Sequence, residues 1–294
     1  MIPASPRTAG FDASVLDAVD GWGASTVAVA VVDGQGLVAT RGPIDRPLPW
    51  ASVTKPLTTA TVLVAVERGV VGLDDPAGPR GSTVRHLLAH ASGLAPDDPT
   101  PISPPERTRI YSNAGFDLLG ELVADRARTP FPELVGAWVG TPLGMGSAHL
   151  ASRASDGANG SVMDLATLAR ELLAPAVLSP SLVAEATSVA FPGLRGVLPG
   201  FGLQDPNDWG LGVEIRATKS PHWTGRRNSP ATFGHFGRSG TFLWVDPAAQ
   251  VAVACLTDRP FGPWAGEAWP AVSDAILGAY GASAVVASAG PAVP

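Results

Sequence analysis

The chain has 294 residues, 45% of them hydrophobic, and a formal net charge of -6 at pH 7. This length and composition suit one large globular domain, or two closely joined lobes, with a sizeable core. The acidic balance and the lack of a basic run argue against a nucleic-acid partner or an anionic membrane surface, because both need clustered lysine and arginine. Proline, glycine or charge interrupts every apolar stretch, so no membrane-spanning helix is expected.

The N-terminus and the single cysteine bear on the cellular compartment. No apolar signal-peptide core is visible in residues 1–7, which favours a cytoplasmic protein. Cys255 excludes an internal disulfide and lies in the apolar run 251–256, where we expect a small buried side chain rather than a nucleophile.

The predicted elements begin with a short helix over 11–21, with Asp12 as its N-cap, followed by a β-hairpin of strands 25–32 and 37–40. The later elements, in chain order, are helices at 52–68, at 82–93 with Ser82 as its cap, at 114–126 and at 164–173, a strand at 209–215, a hairpin of strands 241–245 and 251–256, a helix at 264–280 and a flexible tail at 282–294.

This order of strands and helices predicts an α+β (α/β) fold. We expect an antiparallel sheet built from both ends of the chain, flanked by helices, with an inserted, mainly helical lobe. The whole chain 1–294 would be one domain, with an α/β lobe over about 8–60 and 191–281 and a helical lobe over about 61–190. The seam between two such lobes is a common place for a ligand pocket.

The stretch Trp50-Ala51-Ser52-Val53-Thr54-Lys55-Pro56 places a serine hydroxyl and a lysine amine on one face of a helix. A serine is a weak nucleophile unless an adjacent group takes its proton, and a lysine in a dry pocket can have a pKa low enough to do so. Pro56 is tolerated only near the start of a helix, so Ser52 should lie in its first turn. Because Ser-x-x-Lys pairs also arise by chance, the hypothesis needs companion motifs.

Two other sets of residues invite a functional interpretation. His86 and His90 have a spacing that also occurs in metal sites, but the residues between them lack the glutamate of a His-Glu-x-x-His motif, and no third ligand is evident. We therefore expect no metal and two structural histidines that hydrogen-bond backbone groups. The loop 222–227 holds a histidine, a tryptophan and two arginines, and we favour solvated loop residues over residues lining an entrance.

Four motifs in order carry a resemblance to a known family. They are Ser52-Val53-Thr54-Lys55, the segment 83–94 (TVRHLLAHASGL), Tyr111-Ser112-Asn113 and Gly234-His235-Phe236-Gly237. Over nearly its whole length the chain resembles the serine β-lactamase-like superfamily, in particular its branch of class C β-lactamases, D,D-peptidases and family VIII carboxylesterases. The resemblance implies a β-lactamase/transpeptidase-like fold and a serine hydrolase that passes through an acyl-enzyme.

The resemblance also implies roles for individual residues. Ser52 would attack the carbonyl carbon, and Lys55 and Tyr111 would hold or shuttle its proton, with either as the base. We expect the ammonium charge to make Tyr111 ionise more easily than a free tyrosine. Asn113 would bind the amide or ester side of the substrate and orient Lys55. The backbone N–H groups of Ser52 and Arg238 would form the oxyanion hole.

The last of these four motifs has two possible registers, His235-Phe236-Gly237 and Arg238-Ser239-Gly240. A shift by three residues flips the strand face, so only one register can point at Ser52. We favour the first, with His235 and Gly237 in substrate binding and Arg238 as a cation at the pocket mouth. Relatives usually carry a hydroxyl at the position of Phe236, where it helps to bind a substrate carboxylate, so its loss favours an uncharged substrate.

Three functions follow, in order of preference. The first is a serine hydrolase, most simply a carboxylesterase, that acts on small esters or amides through an acyl-Ser52 intermediate. The second is a β-lactamase or D,D-carboxypeptidase-type penicillin-recognising hydrolase, and the third is a non-catalytic acyl-binding pseudoenzyme. No Gly-x-Ser-x-Gly string occurs, which argues against an α/β-hydrolase elbow as the source of the serine, and no Gly-x-Gly-x-x-Gly or P-loop string occurs, which argues against a nucleotide cofactor. We expect a small-molecule ester or amide substrate and no cofactor.

Overall fold

The computed structural model describes residues 10–288 of the chain. Its strands are β1 (Val27–Asp33), β2 (Gly36–Arg41), β3 (Leu48–Pro49), β4 (His149–Leu150), β5 (Ala158–Gly160), β6 (Gly196–Leu198), β7 (Gly202–Gln204), β8 (Glu214–Ile215), β9 (Phe233–Phe236), β10 (Phe242–Asp246) and β11 (Val251–Thr257). Its α-helices are α1 (Thr54–Glu67), α2 (Val84–Leu88), α3 (Asn113–Ala127), α4 (Phe131–Val135), α5 (Thr141–Leu143), α6 (Val162–Leu173), α7 (Pro180–Ala186) and α8 (Pro263–Ser288). Two 3-10 helices cover Ala13–Trp22 and Ala51–Val53, and a π-helical turn covers Gly136–Gly140.

Strands from both ends of the chain form the main sheet. Its order is β2-β1-β11-β10-β9-β8, and each neighbouring pair is antiparallel. The central pairing joins the two ends of the sequence, since Val27 lies opposite Thr257 and Asp33 lies opposite Val251. The predicted α/β fold with an antiparallel sheet flanked by helices is confirmed.

Both faces of this sheet are buried. On β1, Ala28, Ala30 and Val32 join the core that includes α1 and α6, whereas Val29 and Val31 join the core that includes α8 and the 3-10 helix Ala13–Trp22. Because neither face meets water, the strands consist of continuous valine and alanine rather than alternating polar and apolar residues.

Several boundaries differ from the sequence predictions. Thr83, and not Ser82, caps α2, because its side chain and that of His86 form a reciprocal capping box. The strand predicted at 209–215 is only the two-residue β8, and Trp209 contributes a single bridge to Glu214. The last helix continues to Ser288, so the tail predicted from residue 282 begins too early, and its residues 289–294 lie outside the described part of the chain.

The two-lobe division remains a prediction, with one observation that qualifies it. Helix α6 lies within the segment assigned to the helical lobe, yet it packs across β1, β10 and β11. Of the helices in the described residues, none is long and apolar enough to cross a membrane.

Candidate active site

Ser52 lies at a short turn that the surrounding structure holds in an unusual backbone conformation. It belongs to the 3-10 helix that immediately precedes α1, as the position of Pro56 predicts. Ala51 has a φ of 47°, a left-handed conformation that costs energy for a residue with a Cβ. The Trp50 N–H donates to the carbonyl oxygen of Ala158 in β5 at 2.9 Å. This bond and the buried Trp50 ring fix where the Ser52 hydroxyl emerges.

Lys55 lies one helical turn further along, and its side chain is fully buried. Its Nζ donates to Asn113 Oδ1 at 2.6 Å and to the carbonyl oxygen of Ser155 at 3.0 Å. The same atom lies 4.6 Å from the centre of the Tyr111 ring. The structure therefore brings the Ser-x-x-Lys and Tyr-Ser-Asn motifs together, and Asn113 orients the lysine.

The surroundings of Lys55 lower the pKa of its ammonium group. Burial lowers the pKa of Lys55 to about 7, and the carboxylates of Asp156 and Asp117 offset only part of this effect. No carboxylate of the described residues forms an ion pair with Lys55. Near neutral pH, much of the lysine is therefore a neutral amine that can accept a proton.

Tyr111 faces Ser52 but does not ionise readily. Burial raises the pKa of Tyr111, and the neighbouring Ser52 side chain offsets only part of that rise. Apart from Ser52, no described residue offers the buried Tyr111 hydroxyl a hydrogen-bond partner. The expectation of an easily ionised tyrosine is therefore wrong, and the phenol is a proton donor in the free protein.

His235 reaches the same site from β9. Its Nδ1 bonds the carbonyl oxygen of Phe236 at 2.7 Å, so Nδ1 carries the proton and Nε2 is an acceptor. Burial lowers the pKa of His235 to about 3, which keeps the ring neutral at physiological pH. Its ring centre lies 5.8 Å from that of Tyr111, and Nε2 is buried without a partner among the described residues.

Arg238 and Gly237 lie at the edge of the site. A Cβ on Gly237 would lie 2.7 Å from the carbonyl oxygen of Trp50, so only glycine lets the strand end approach the turn that carries Ser52. The Arg238 side chain is 84% exposed, with its guanidinium 3.4 Å from Asp156. The two possible registers therefore differ in the structure. In the register His235-Phe236-Gly237, the His235 ring lies inside the site, whereas the Arg238 side chain of the other register points outward.

These groups line a cavity of about 320 Å³. Ser52, Tyr111 and His235 supply polar atoms on one side, and Trp209, Phe236 and Phe261 supply aromatic surface. The aromatic side is continuous with the core, because the Phe236 ring lies 5.8 Å from that of the buried Trp269. A cavity of this size accepts a small acyl compound, and its lining is mainly apolar.

Glu214 also lines the cavity, although it belongs to none of the sequence motifs. Its carboxylate accepts hydrogen bonds from the Trp223 indole at 3.0 Å and from His222 Nε2 at 2.9 Å, and it forms an ion pair with Lys219. Burial alone would raise the pKa of Glu214, but His222 and Lys219 hold it at about 2. A lone glutamate in the apolar run 211–215 is the signal that could have predicted a buried charge.

The same cluster corrects the interpretation of the loop 222–227. His222 and Trp223 are buried against Glu214 rather than solvated, whereas Arg226 and Arg227 are exposed as predicted. These four side chains do not line the cavity.

His86 and His90 have the structural roles that the sequence predicts. His86 Nδ1 accepts from the Thr83 N–H at 3.2 Å, and His90 Nδ1 accepts from the Ser112 N–H at 3.1 Å. His90 also packs against Tyr111, with ring centres 4.6 Å apart, so it supports the site from behind. Cys255 is buried in β11, as predicted.

The fold is that of the serine β-lactamase-like superfamily. The Beta-lactamase family model matches residues 11–276, and the chain belongs to this family.

Solved structures give the same assignment. A β-lactamase from Mycobacterium bovis is 51% identical, with a TM-score of 0.89, covering 90% of this chain and 99% of that one. EstCE1, a hydrolase with promiscuous acyltransferase activity, is 17% identical with a TM-score of 0.75, covering 90% and 96%. Simvastatin synthase from Aspergillus terreus is 18% identical with a TM-score of 0.73, covering 90% and 93%. These last two show the shared fold. A comparison with the curated proteins gives no significant match.

Proposed function

We propose that this protein is a serine hydrolase that forms an acyl-enzyme on Ser52 and acts on small uncharged esters. The observation that carries the proposal is Lys55, which is buried beside Tyr111 and Asn113 with its pKa lowered to about 7. A neutral amine next to a serine at a strained turn has the properties of a nucleophile-and-base pair.

The reaction follows from these positions. The Lys55 amine takes the Ser52 proton, with the Tyr111 hydroxyl beside both groups, and Ser52 Oγ forms a bond to the carbonyl carbon of the ester. The backbone N–H groups of Ser52 and Arg238 hold the resulting oxyanion. The bond to the leaving alkoxide then breaks, and the alkoxide receives the proton from Lys55 or Tyr111. Attack of water on the acyl group releases the acid and restores Ser52.

The cavity favours an uncharged substrate. Phe236 stands where relatives carry a hydroxyl, His235 is neutral, and Glu214 places a carboxylate on the cavity wall. Arg238 is the one cation among the described lining residues, and its side chain turns outward. A substrate carboxylate would therefore lack a buried partner, which disfavours penicillins and terminal D-alanine.

The second candidate is hydrolysis of a β-lactam, which the 51% identity to a structure named a β-lactamase favours. Parallel assays of p-nitrophenyl acetate, a chromogenic cephalosporin and a D-Ala-D-Ala peptide separate the two functions. We expect the ester to have the highest kcat/KM. A higher value for the cephalosporin would give preference to the second candidate.

Two variants test the nucleophile itself. Ser52→Ala should abolish ester hydrolysis and labelling by a fluorophosphonate, whereas Ser188→Ala, at an exposed serine just after α7, should retain both. Hydrolysis that persists in Ser52→Ala would disprove the mechanism. Failure of the wild-type protein to label would indicate a non-catalytic acyl-binding protein.

A further inference from the structure

The β6–β7 hairpin exposes two aliphatic side chains on one face. Val197 lies directly opposite Leu203 across the hairpin, and the two are exposed to 58% and 67%. The next residue, Leu198, points to the other face and is buried, where it lines the reaction cavity. Single exposed aliphatic residues are common, but a cross-strand pair beside a cavity is an apolar patch of the kind that binds a ligand or partner.

The exposed pair forms one wall of a groove of about 630 Å³. The opposite wall is the segment 108–111, and Pro96 also lines the groove. Backbone contacts hold the two walls together, since the Arg109 N–H donates to the carbonyl oxygen of Arg195 at 2.9 Å. The groove is therefore a built feature of the fold rather than a gap between loose loops.

The groove adjoins the candidate active site. Tyr111 and Pro199 line both the groove and the 320 Å³ cavity that contains Ser52. The hairpin tip rests on the aromatic side of this cavity, where the Phe201 and Phe236 ring centres lie 5.7 Å apart. An acyl group on Ser52 that is too long for the cavity would pass Tyr111 and enter the groove.

The chemistry of the lining selects the occupant. Val197, Pro199 and Leu203 offer aliphatic surface, with Ile110 and Pro96 opposite. An unbranched hydrocarbon chain gains from leaving water against these residues, and the Thr108 hydroxyl, which also lines the groove, already donates to the carbonyl oxygen of Arg195.

We propose that the groove binds the aliphatic part of the substrate's acyl group, so that medium-chain acyl esters are preferred over acetyl esters. The proposal rests on the acyl-Ser52 mechanism above. Full burial of a methylene increases binding about fourfold, and a groove open to water on one side supplies about half of that free energy, or about twofold per methylene.

The test is a series of p-nitrophenyl esters from acetate to decanoate. For the wild-type protein, kcat/KM should rise by about 16-fold between butanoate and octanoate. In the double variant Val197→Ser with Leu203→Ser, the octanoate-to-butanoate ratio should fall at least fourfold. The control is Val189→Ser, an exposed valine that lines a separate groove beside β8 and should leave the ratio unchanged.

The outcomes separate this proposal from the proposed function. A chain-length profile that is flat or falling, with hydrolysis that still depends on Ser52, would overturn the groove alone. No Ser52-dependent hydrolysis of any ester would overturn both. A preference for long chains on the alcohol side only, in alkyl acetates, would also reject an acyl groove. A ratio that is unchanged while light scattering shows the double variant to have a lower mass would assign the patch to contact between copies of this chain.

Discussion

Lys55 and Lys219 are equally buried and differ in their surroundings. Their exposed fractions are 0% and 4%. Lys219 Nζ forms an ion pair with Glu214 and donates to the carbonyl oxygen of Asp208 at 2.7 Å. Lys55 Nζ instead meets an amide oxygen, a carbonyl oxygen and the face of an aromatic ring.

The difference shows what makes a buried lysine a base. Burial lowers the pKa of both lysines, but at Lys219 the adjacent Glu214 opposes that shift, so the pair is a structural salt bridge. At Lys55 the opposing carboxylates are more distant, and the pKa falls to about 7. Burial without an adjacent counter-charge, rather than burial alone, prepares the amine to accept a proton.

The largest effect should come from removing each lysine in turn. Lys55→Met should lower kcat/KM for p-nitrophenyl butanoate by about 10²–10⁴-fold, because the base is lost. Lys219→Met should lower stability, while the folded protein keeps kcat/KM within about tenfold of the wild type. Steady-state kinetics on folded protein, checked by circular dichroism, measures both. Equal losses of activity in the two variants would contradict the proposed difference.

The next effect concerns the salt bridge. Glu214→Gln should lower the free energy of unfolding by about 3–5 kcal/mol in urea titrations, because Lys219 would be buried without its counter-charge. Adding Lys219→Met to Glu214→Gln should recover much of this loss. If Glu214→Gln is as stable as the wild type, the ion pair between Glu214 and Lys219 does not stabilise the fold.

The pH dependence of stability checks the same salt bridge. Glu214 has a folded pKa of about 2, below the value in an unfolded chain. Its contribution to stability is therefore complete above about pH 4.5 and is lost as the pH falls toward 2. In Glu214→Gln, the free energy of unfolding should therefore fall less between about pH 4.5 and 2 than it does in the wild type.

The smallest effect should come from placing a carboxylate next to Lys55, as Glu214 is placed next to Lys219. Asn113 Nδ2 donates to Asp97 Oδ1 at 2.8 Å, so the exchange Asn113→Asp with Asp97→Asn moves one carboxylate next to Lys55 and keeps the hydrogen bond. The acid limb of kcat/KM, expected near pH 7 in the wild type, should move up by about one to three pH units. Asp97→Asn alone should move it slightly down, because Asp97 raises the pKa of Lys55. An acid limb that stays in place would exclude Lys55 as its source.

The sequence was most informative where a function lies in one short segment. Ser52 and Lys55 are on one helix start, and Tyr111 and Asn113 flank one helix cap, so short motifs that occur in a fixed order were enough to propose them. The antiparallel sheet could be predicted because strand patterns occur at both ends of the chain.

The Glu214 cluster could not be predicted in this way. Its members come from β8 and the following loop, and the composition of that loop suggests exposure, whereas a buried carboxylate draws His222 and Trp223 inward. The lowered tendency of Tyr111 to ionise was also inaccessible, since it depends on how completely other segments exclude water from the phenol.

The pairing of β1 with β11 has a consequence for synthesis of the chain. A ribosome releases the turn that carries Ser52 long before β9, β10 and β11 exist to complete the sheet. Until then, the β1–β2 hairpin has no partner for the edge of β1 that later pairs with β11. Contacts this distant in sequence form slowly. The strand end at Gly237 and Arg238 reaches the turn only after most of the chain has emerged, so a growing chain carries Ser52 without the Arg238 N–H that we propose for the oxyanion hole.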